Sequence, residues 1–112
     1  EQATAAASSA PRRRRVDRSV PDKGGYTVHS DYDVKLLQSN ISGGHNANRF
    51  YIIQVLEKRG GGGFAAWNRW GRVGEDGEGK IYEFNTAAEA IKSFEAKFLD
   101  KTKNSWAAFK DG

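Results

Sequence analysis

The sequence predicts an α+β domain: a small antiparallel β-sheet with one main C-terminal α-helix packed on one face, preceded by a disordered basic N-terminal tail. Three observations indicate this class. Apolar and polar side chains alternate from Tyr32 to Leu36, as in a half-buried strand. Residues 50–56 are rich in β-branched and aromatic side chains. Residues 87–103 carry apolar side chains at helical spacing. The length of 112 residues suits a single domain of this kind.

Residues 1–25 are predicted to be the disordered basic tail, and residues 26–112 the folded domain. The tail opens on Ala and Ser, continues with four arginines at positions 12–15, and shows no apolar periodicity to bury. The arginine run is a nuclear-localisation element, a non-specific nucleic-acid contact or a solvated linker, and the sequence leaves these open. Because the chain contains no Met, we expect it to be a fragment of a longer protein.

Four strands are expected in order along the chain. The first begins near Tyr32, and a stretch of turn-forming residues separates it from the central strand at 50–56. Four consecutive glycines at 60–63 form a short connection, so the third strand, 64–73, should pair antiparallel with the second. A fourth, shorter strand is expected at 80–84.

The helix is expected from Ala87 to about Lys103. Thr86 and Glu89 have the spacing of a capping box, in which both side chains satisfy unpaired backbone amides at the start of a helix. The apolar side chains that then recur on one helical face are Ile91, Phe94 and Phe98. This face should cover one side of the sheet.

Composition excludes several kinds of site. The chain has no Cys, and His29 and His45 are not paired at metal-ligand spacing, so we expect no metal. Paired carboxylates fall in residues 75–78, a turn too exposed to raise a pKa. No spacing supports a Ser/His/Asp triad or a phosphate loop, so we expect no catalytic residue. No apolar run approaches the ~20 residues of a membrane helix, and we expect no membrane contact.

Charge is divided along the chain. The net charge is +4, but the tail supplies most of it and the domain is close to neutral. Within the domain, residues 49–72 are basic and residues 73–91 are acidic. This division suits a local anionic partner better than a surface coated by nucleic acid.

Residues 67–72, Trp-Asn-Arg-Trp-Gly-Arg, form the most informative motif. Strand alternation puts Trp67 and Arg69 on one face, and Trp70 and Arg72 on the other. An indole can stack on an exposed base or sugar while a guanidinium binds phosphate, which suits a nucleic-acid end. The alternative is that one tryptophan is core and the arginines are its rim. Composition alone favours that alternative, because aromatic side chains in strands usually pack.

Residues 68–74, Asn-Arg-Trp-Gly-Arg-Val-Gly, resemble the signature of the WGR domain, the Trp-Gly-Arg module of poly(ADP-ribose) polymerases. The resemblance covers residues 26–109, since three further blocks are similar in order and spacing: 32–41, 46–56 and 98–106. The sequence departs from the family pattern at Leu37, where Asn is usual, and at Ala47, which lies within the usual run of Asn.

The resemblance implies a DNA-break sensor that relays its signal to a catalytic region. Trp70 would stack on the sugar or base at the 5′ end of the break. Asn48 and Arg49 would contact the backbone or terminal phosphate. Arg72 would contact DNA and neighbouring domains, and so couple binding to relief of autoinhibition. Charge alone suggests two further phosphate contacts, Lys101 and Lys103.

The resemblance also implies a nuclear parent enzyme that acts in DNA repair and transfers ADP-ribose from NAD+. This chain lacks the catalytic region, so we expect it to hold no cofactor and to be no enzyme itself. Its partners would be 5′-phosphorylated DNA ends and the catalytic and helical regulatory regions of the parent. We expect a monomer.

Two other functions stay open. The chain could be a protein–protein docking module with little direct DNA affinity, in which Arg72, Trp70 and the acidic residues 75–78 form an interdomain face. It could also bind single-stranded DNA or RNA without sequence preference.

Overall fold

The structure is a computed structural model and describes residues 2–4, 15–39, 48–103 and 105–106. Three features singled out in the sequence lie outside these residues, namely the arginines at positions 12–14, His45 and Ala47.

A five-stranded antiparallel sheet with strand order β1-β2-β3-β4-β5 forms the body of the domain. Its strands are β1 Gln2–Thr4, β2 Tyr26–Ser39, β3 Arg49–Lys58, β4 Phe64–Arg72 and β5 Glu78–Phe84. The four longer strands confirm the predicted sheet. The short β1 pairs with the end of β2, and the tail prediction did not include it.

The first long strand begins at Tyr26, directly after a short 3-10 helix at Lys23–Gly25, rather than near Tyr32. The pairing of β2 with β3 shifts between Val28 and Asp33, and Ser30 has a φ of 54°. Because a bulge adds residues to one strand only, it breaks the period-two alternation. The sequence pattern therefore revealed only the part of β2 beyond the bulge.

The single long helix, α1, spans Ala87–Thr102 and confirms the prediction. The Glu89 amide donates to the Thr86 hydroxyl at 3.3 Å, which is the N-cap half of a capping box, and that hydroxyl lies 3.1 Å from the Glu89 carboxylate. The helix ends where Lys103 takes a left-handed conformation, with φ 62°, and its amide donates to the Leu99 carbonyl.

The main core lies between α1 and one face of the sheet. Trp106 packs edge-on against Phe94 and Phe98, with ring centroids 4.9 and 5.1 Å away. The buried members of this core are Val34, Leu36, Ile53, Val55, Ala90, Phe94, Phe98 and Trp106. Burying a Phe side chain stabilises the fold by about 1.5–3 kcal/mol, so this layer fixes α1 on the sheet.

A second, smaller core lies on the opposite face and corrects the predicted tail. Residues 15–20, here called the N-terminal strap, cross this face, and Val20 is buried there. The buried members of this core are Val20, Tyr26, Leu56, Ala65 and Trp67. Order therefore begins before Tyr26. Composition could not show this, because the partners of the strap are distant in the sequence and only one of its apolar side chains is fully buried.

Candidate functional site

Four predicted or neighbouring side chains form a block on two adjacent strands. Arg49 lies opposite Arg72, and Tyr51 lies opposite Trp70, in the register of β3 and β4. Residues two apart on a strand point to the same face, so all four share one side of the sheet. Tyr51 packs against the core under α1, which identifies this as the helix side.

The predicted division of the motif between two faces is confirmed. Trp70 stacks on Tyr51 on the helix side. Trp67 and Arg69 both donate to the Asp17 carboxylate of the strap, on the other side. Trp67 is a core residue, as the packing alternative required of one tryptophan. Arg69 is buried and not a rim residue.

An aromatic and cationic ladder runs from β4 to the end of α1. The Trp70 and Tyr51 rings stack with centroids 5.9 Å apart and planes 17° from parallel. The Lys101 ammonium lies 4.8 Å from the Tyr51 ring centroid, within cation–π range. Trp70 is half-buried, so one part of its indole stays open to a ligand. Tyr51 thereby supports the indole from behind.

A cavity of about 160 Å³ opens beside this ladder. Arg49, Trp70 and Lys101 line it, and Leu37, where the family usually has Asn, lines it with an exposed apolar side chain. The full lining comprises Leu36, Leu37, Gln38, Arg49, Phe50, Tyr51, Trp70, Gly71, Lys101 and Thr102. We call this the Trp70 cavity.

The cations at or near the Trp70 cavity form few ion pairs, although Glu78 of β5 lies opposite Trp70. Arg49 and Arg72 are exposed, and within the described part of the chain no carboxylate comes within ion-pair distance of either guanidinium. Among the described residues, the one carboxylate that pairs with the Lys101 ammonium is that of the exposed Asp100, at 3.8 Å. Like charges directly opposite on paired strands repel, so an incoming anion would relieve this repulsion.

Tyr51 is the contact that the sequence prediction missed. Burial raises the pKa of the Tyr51 hydroxyl, although the neighbouring Lys97 ammonium partly opposes that shift. The side chain therefore stays neutral around pH 7. Alternation along β3 places Tyr51 on the same face as Arg49, but only the register with β4 places it opposite Trp70.

The remaining predicted residues lie at different distances from the cavity. Asn48 precedes β3, and its carbonyl accepts a hydrogen bond from the Val73 amide at 3.0 Å. This bond holds Asn48 beside the end of β4. Lys103 caps α1 and does not line the cavity. The structure thus brings together Arg49, Arg72, Trp70 and Lys101, with Asn48 adjacent and Lys103 apart. Their contact with DNA stays a prediction.

On the opposite face, a carboxylate clamp joins the strap to β4. Arg69 donates to Asp17 through Nε at 2.6 Å and Nη2 at 2.9 Å, and the Trp67 indole donates at 2.9 Å. We call Asp17, Trp67 and Arg69 the Asp17 clamp. Burial alone would raise the pKa of Asp17, but the hydrogen bonds from Arg69 and Trp67, together with the Arg69 charge, lower it. The hydrogen bonds that Arg69 donates to Asp17 raise the pKa of Arg69, although burial opposes that shift.

Within the described residues, no group of three or more His, Asp or Glu side chains could hold a metal ion. No helix among them combines the length and apolar character of a membrane span.

The chain matches known proteins over most of its length. Residues 32–112 match the WGR domain family. The chain is 52% identical over 94 residues to protein mono-ADP-ribosyltransferase PARP3 of Mus musculus, covering 82% of this chain and 17% of that protein. It is 48% identical over 95 residues to the PARP3 of Homo sapiens, with coverage of 83% and 17%. It is 40% identical over 104 residues to poly [ADP-ribose] polymerase 2-A of Oryza sativa subsp. japonica, with coverage of 82% and 16%. The chain therefore spans about a sixth of the length of these curated relatives.

Proposed function

The chain belongs to the WGR domain family, and we propose that it binds the ends of broken DNA for a nuclear ADP-ribosyltransferase that acts in DNA repair. The supporting observation is the pair of exposed guanidiniums, Arg49 and Arg72, beside the stacked rings of Trp70 and Tyr51. A DNA end offers an unstacked terminal nucleotide and a phosphate. An indole and a cluster of cations can hold these two groups without reading sequence.

In this proposal each side chain has a separate task. Trp70 stacks on the terminal sugar or base, and Tyr51 keeps the indole from tilting away. Arg49 and Lys101 reach the terminal phosphate from two sides of the cavity that they line. Arg72 contacts the backbone and, from its exposed position, also a neighbouring domain of the parent enzyme.

Asn48 and Lys103 have lesser tasks. Asn48 is held beside Arg72 through the Val73 amide and contacts the backbone next to the end. Lys103, outside the cavity, adds general attraction for DNA.

The chain relays a signal and performs no bond-making chemistry in this proposal. The names of the relatives describe ADP-ribose transfer, and this chain spans about a sixth of their length. We assign catalysis, and NAD+ as its substrate, to other regions of the parent. The relay partners are its catalytic and helical regulatory regions, reached through Arg72.

The proposal is tested by titrating the chain with three DNAs of equal length: a duplex with a 5′-phosphate, the same duplex with a 5′-hydroxyl, and closed circular DNA. We expect the tightest binding to the phosphorylated duplex and a loss of that advantage in Trp70→Ala. Trp70→Phe, which keeps an aromatic ring, is the matched control and should retain part of it. A single-stranded oligonucleotide that competes for the chain as strongly as the phosphorylated duplex would favour the single-strand alternative.

A docking function is the second candidate, and one feature favours it. Val73, next to Arg72, is 46% exposed, and the acidic residues 75–78 follow directly. A mixed apolar and charged surface of this kind suits a protein partner. Equal, salt-sensitive binding to all three DNAs, with salt-independent binding to the isolated catalytic region, would support docking and contradict end recognition.

A further inference from the structure

We propose that Asp17 and Arg69 are positioning residues of the DNA-end site, although both lie on the opposite face of the sheet. This inference rests on the proposed function. The Asp17 clamp fixes the turn between β4 and β5, residues 73–77, and that turn contacts three of the residues assigned to DNA.

The clamp is buried and fully hydrogen-bonded. The side chains of Asp17 and Arg69 are 8% and 6% exposed, and they lie on the face of the sheet opposite the Trp70 cavity. The Asp17 carboxylate receives three donors, two from Arg69 and one from Trp67. A guanidinium bound in this two-pronged way has a fixed orientation. Any influence of the clamp on DNA must therefore pass through geometry.

The strap that carries Asp17 is itself fixed to the sheet. The buried Gln54 side chain on β3 accepts from the Asp17 amide at 3.0 Å and donates to the Arg15 carbonyl at 2.8 Å. Gln54 also donates to Asp33 on β2 at 3.0 Å. Asp17 thus has little freedom to follow Arg69 if β4 moves.

Arg69 extends the clamp to the turn. Its Nη1 donates to the Asp76 carbonyl, and Arg18 of the strap pairs with the Asp76 carboxylate at 2.8 Å. Both of these polar contacts to the turn come from the clamp or from the strap residue next to it. The Arg18 pair is exposed and contributes little. Arg69 is therefore the main support of the turn from this side.

Residues 73–77 also hold the residues that are proposed to contact DNA. The Val73 amide donates to the Asn48 carbonyl, and the Glu75 amide donates to the Arg72 carbonyl, both at 3.0 Å. Gly77 lies so close to the Trp70 carbonyl that a Cβ on Gly77 would clash with it. A displaced turn would therefore displace the backbone at Asn48, Arg72 and Trp70.

Phe50 provides a second connection from the clamp to the same backbone. The Arg69 guanidinium lies 5.0 Å from the Phe50 ring centroid. The edge of that ring lies at contact distance from Gly71 and Gly77, where a Cβ would approach within 3.4 and 3.0 Å. Gly71 follows Trp70 directly. The clamp, the ring and the two glycines form one packed unit beneath the Trp70 cavity.

The test measures end selectivity in the full chain, as the ratio of the Kd for the 5′-hydroxyl duplex to the Kd for the 5′-phosphate duplex. Asp17→Asn keeps the size of the side chain and removes its charge. We expect it to lower the ratio by about 2- to 30-fold, the range of coupling that such networks carry. Partial unfolding lowers the active fraction equally for both duplexes, so the ratio does not respond to stability alone.

Arg69→Lys and Val20→Ala are the matched variants. A lysine keeps the charge but cannot contact Asp17 and the Asp76 carbonyl together, so Arg69→Lys should lower the ratio like Asp17→Asn. Val20→Ala loosens the packing of the same strap and leaves all three donors to the Asp17 carboxylate in place, so it should leave the ratio unchanged. If Asp17→Asn does not fold, Trp67→Phe, which removes only one donor to Asp17, replaces it.

The outcomes separate the two proposals. A wild-type chain with no preference for the phosphate contradicts the proposed function, and the positioning role with it. A wild-type preference that survives intact in Asp17→Asn and Arg69→Lys leaves end binding standing and overturns positioning. A fall in the Kd ratio of Val20→Ala equal to that of Asp17→Asn would also overturn positioning, because general loosening of the strap would then explain the loss of selectivity.

Discussion

Arg49 and Arg72 lie directly opposite each other on β3 and β4, both exposed, and no carboxylate in the described residues pairs with either. A paired sheet gains nothing from two facing cations, since their repulsion opposes the pairing. Under the proposed function, an anion bound between them would relieve that repulsion. Removal of one of the two charges probes this feature of the site most directly.

Arg49→Gln should weaken DNA binding without lowering the stability of the fold. We expect the affinity for a 5′-phosphorylated duplex to fall, with the slope of log K against log salt reduced by about one unit. The free energy of unfolding should stay unchanged or rise by a few tenths of a kcal/mol, since a repulsion is removed. Salt-dependent titrations and urea unfolding measure the two effects.

Lys103→Gln is the control for that prediction, because it removes the same charge outside the Trp70 cavity. It should weaken binding to all DNAs alike and leave the preference for the phosphate intact. An equal loss of preference in both variants would contradict the assignment of Arg49 to the terminal phosphate.

Trp70→Ala should weaken binding to a DNA end by about 1–3 kcal/mol, the usual contribution of one base stacked on an aromatic side chain. Isothermal titration with the phosphorylated duplex measures this loss, and thermal unfolding measures stability beside it. If affinity stays the same while the thermal stability of the domain falls, Trp70 serves packing and the end-binding proposal fails.

Asp17→Asn should destabilise the fold by about 3–5 kcal/mol at pH 7, since it leaves Arg69 as a buried charge without its partner. The pKa of Asp17 is lowered in the folded chain. Its contribution is therefore complete above the unfolded pKa, about 3.9, and is lost as pH falls through the lower folded value.

Urea unfolding between pH 7 and the acid range checks this dependence. The wild-type chain should lose stability below pH ~4 more steeply than Asp17→Asn. Parallel curves for the two chains would show that Asp17 keeps its ordinary pKa in the folded domain.

Tyr51→Phe tests the raised pKa of the Tyr51 hydroxyl. The folded chain holds this proton more tightly than the unfolded chain, so stability is complete below pH ~10 and is lost as pH rises through the folded pKa. Tyr51→Phe should flatten that alkaline loss and keep the stack on Trp70. Ultraviolet titration of tyrosine ionisation, with unfolding at each pH, measures both. A wild-type Tyr51 that ionises at its ordinary pKa would contradict the effect of burial.

Gly77→Ala should destabilise the domain by more than about 1 kcal/mol. Gly77 has a φ of 74°, and a Cβ there would clash with the Trp70 carbonyl. Gly74→Ala is the matched control, because Gly74 has a φ of 98° but open space around it. Only Gly77→Ala should also weaken binding to DNA ends, since only Gly77 supports Trp70. Equal effects would mean that backbone strain alone accounts for both.

The parts of the fold that the sequence predicted depend on local patterns. Thr86 and Glu89 are three residues apart, and the capping box they form was readable directly. The strands β3 and β4 follow from their own composition, and their alternation correctly divided Trp67 from Trp70 between two faces.

The parts that it did not predict depend on distant partners. Asp17 meets Trp67 and Arg69 some fifty positions along the chain, at separations of 50 and 52 residues. No local pattern marks such a carboxylate as buried. Tyr51 likewise became a site residue only through its register with Trp70, which follows from pairing and not from propensity.

The N-terminal strap has a mechanical consequence. A pull on the chain at Arg15 would act on Gln54 of β3 through the Arg15 carbonyl and on Arg69 of β4 through Asp17. These two strands also carry Arg49, Tyr51, Trp70 and Arg72. Tension applied at Arg15 would thus pass to the two strands that hold the Trp70 cavity.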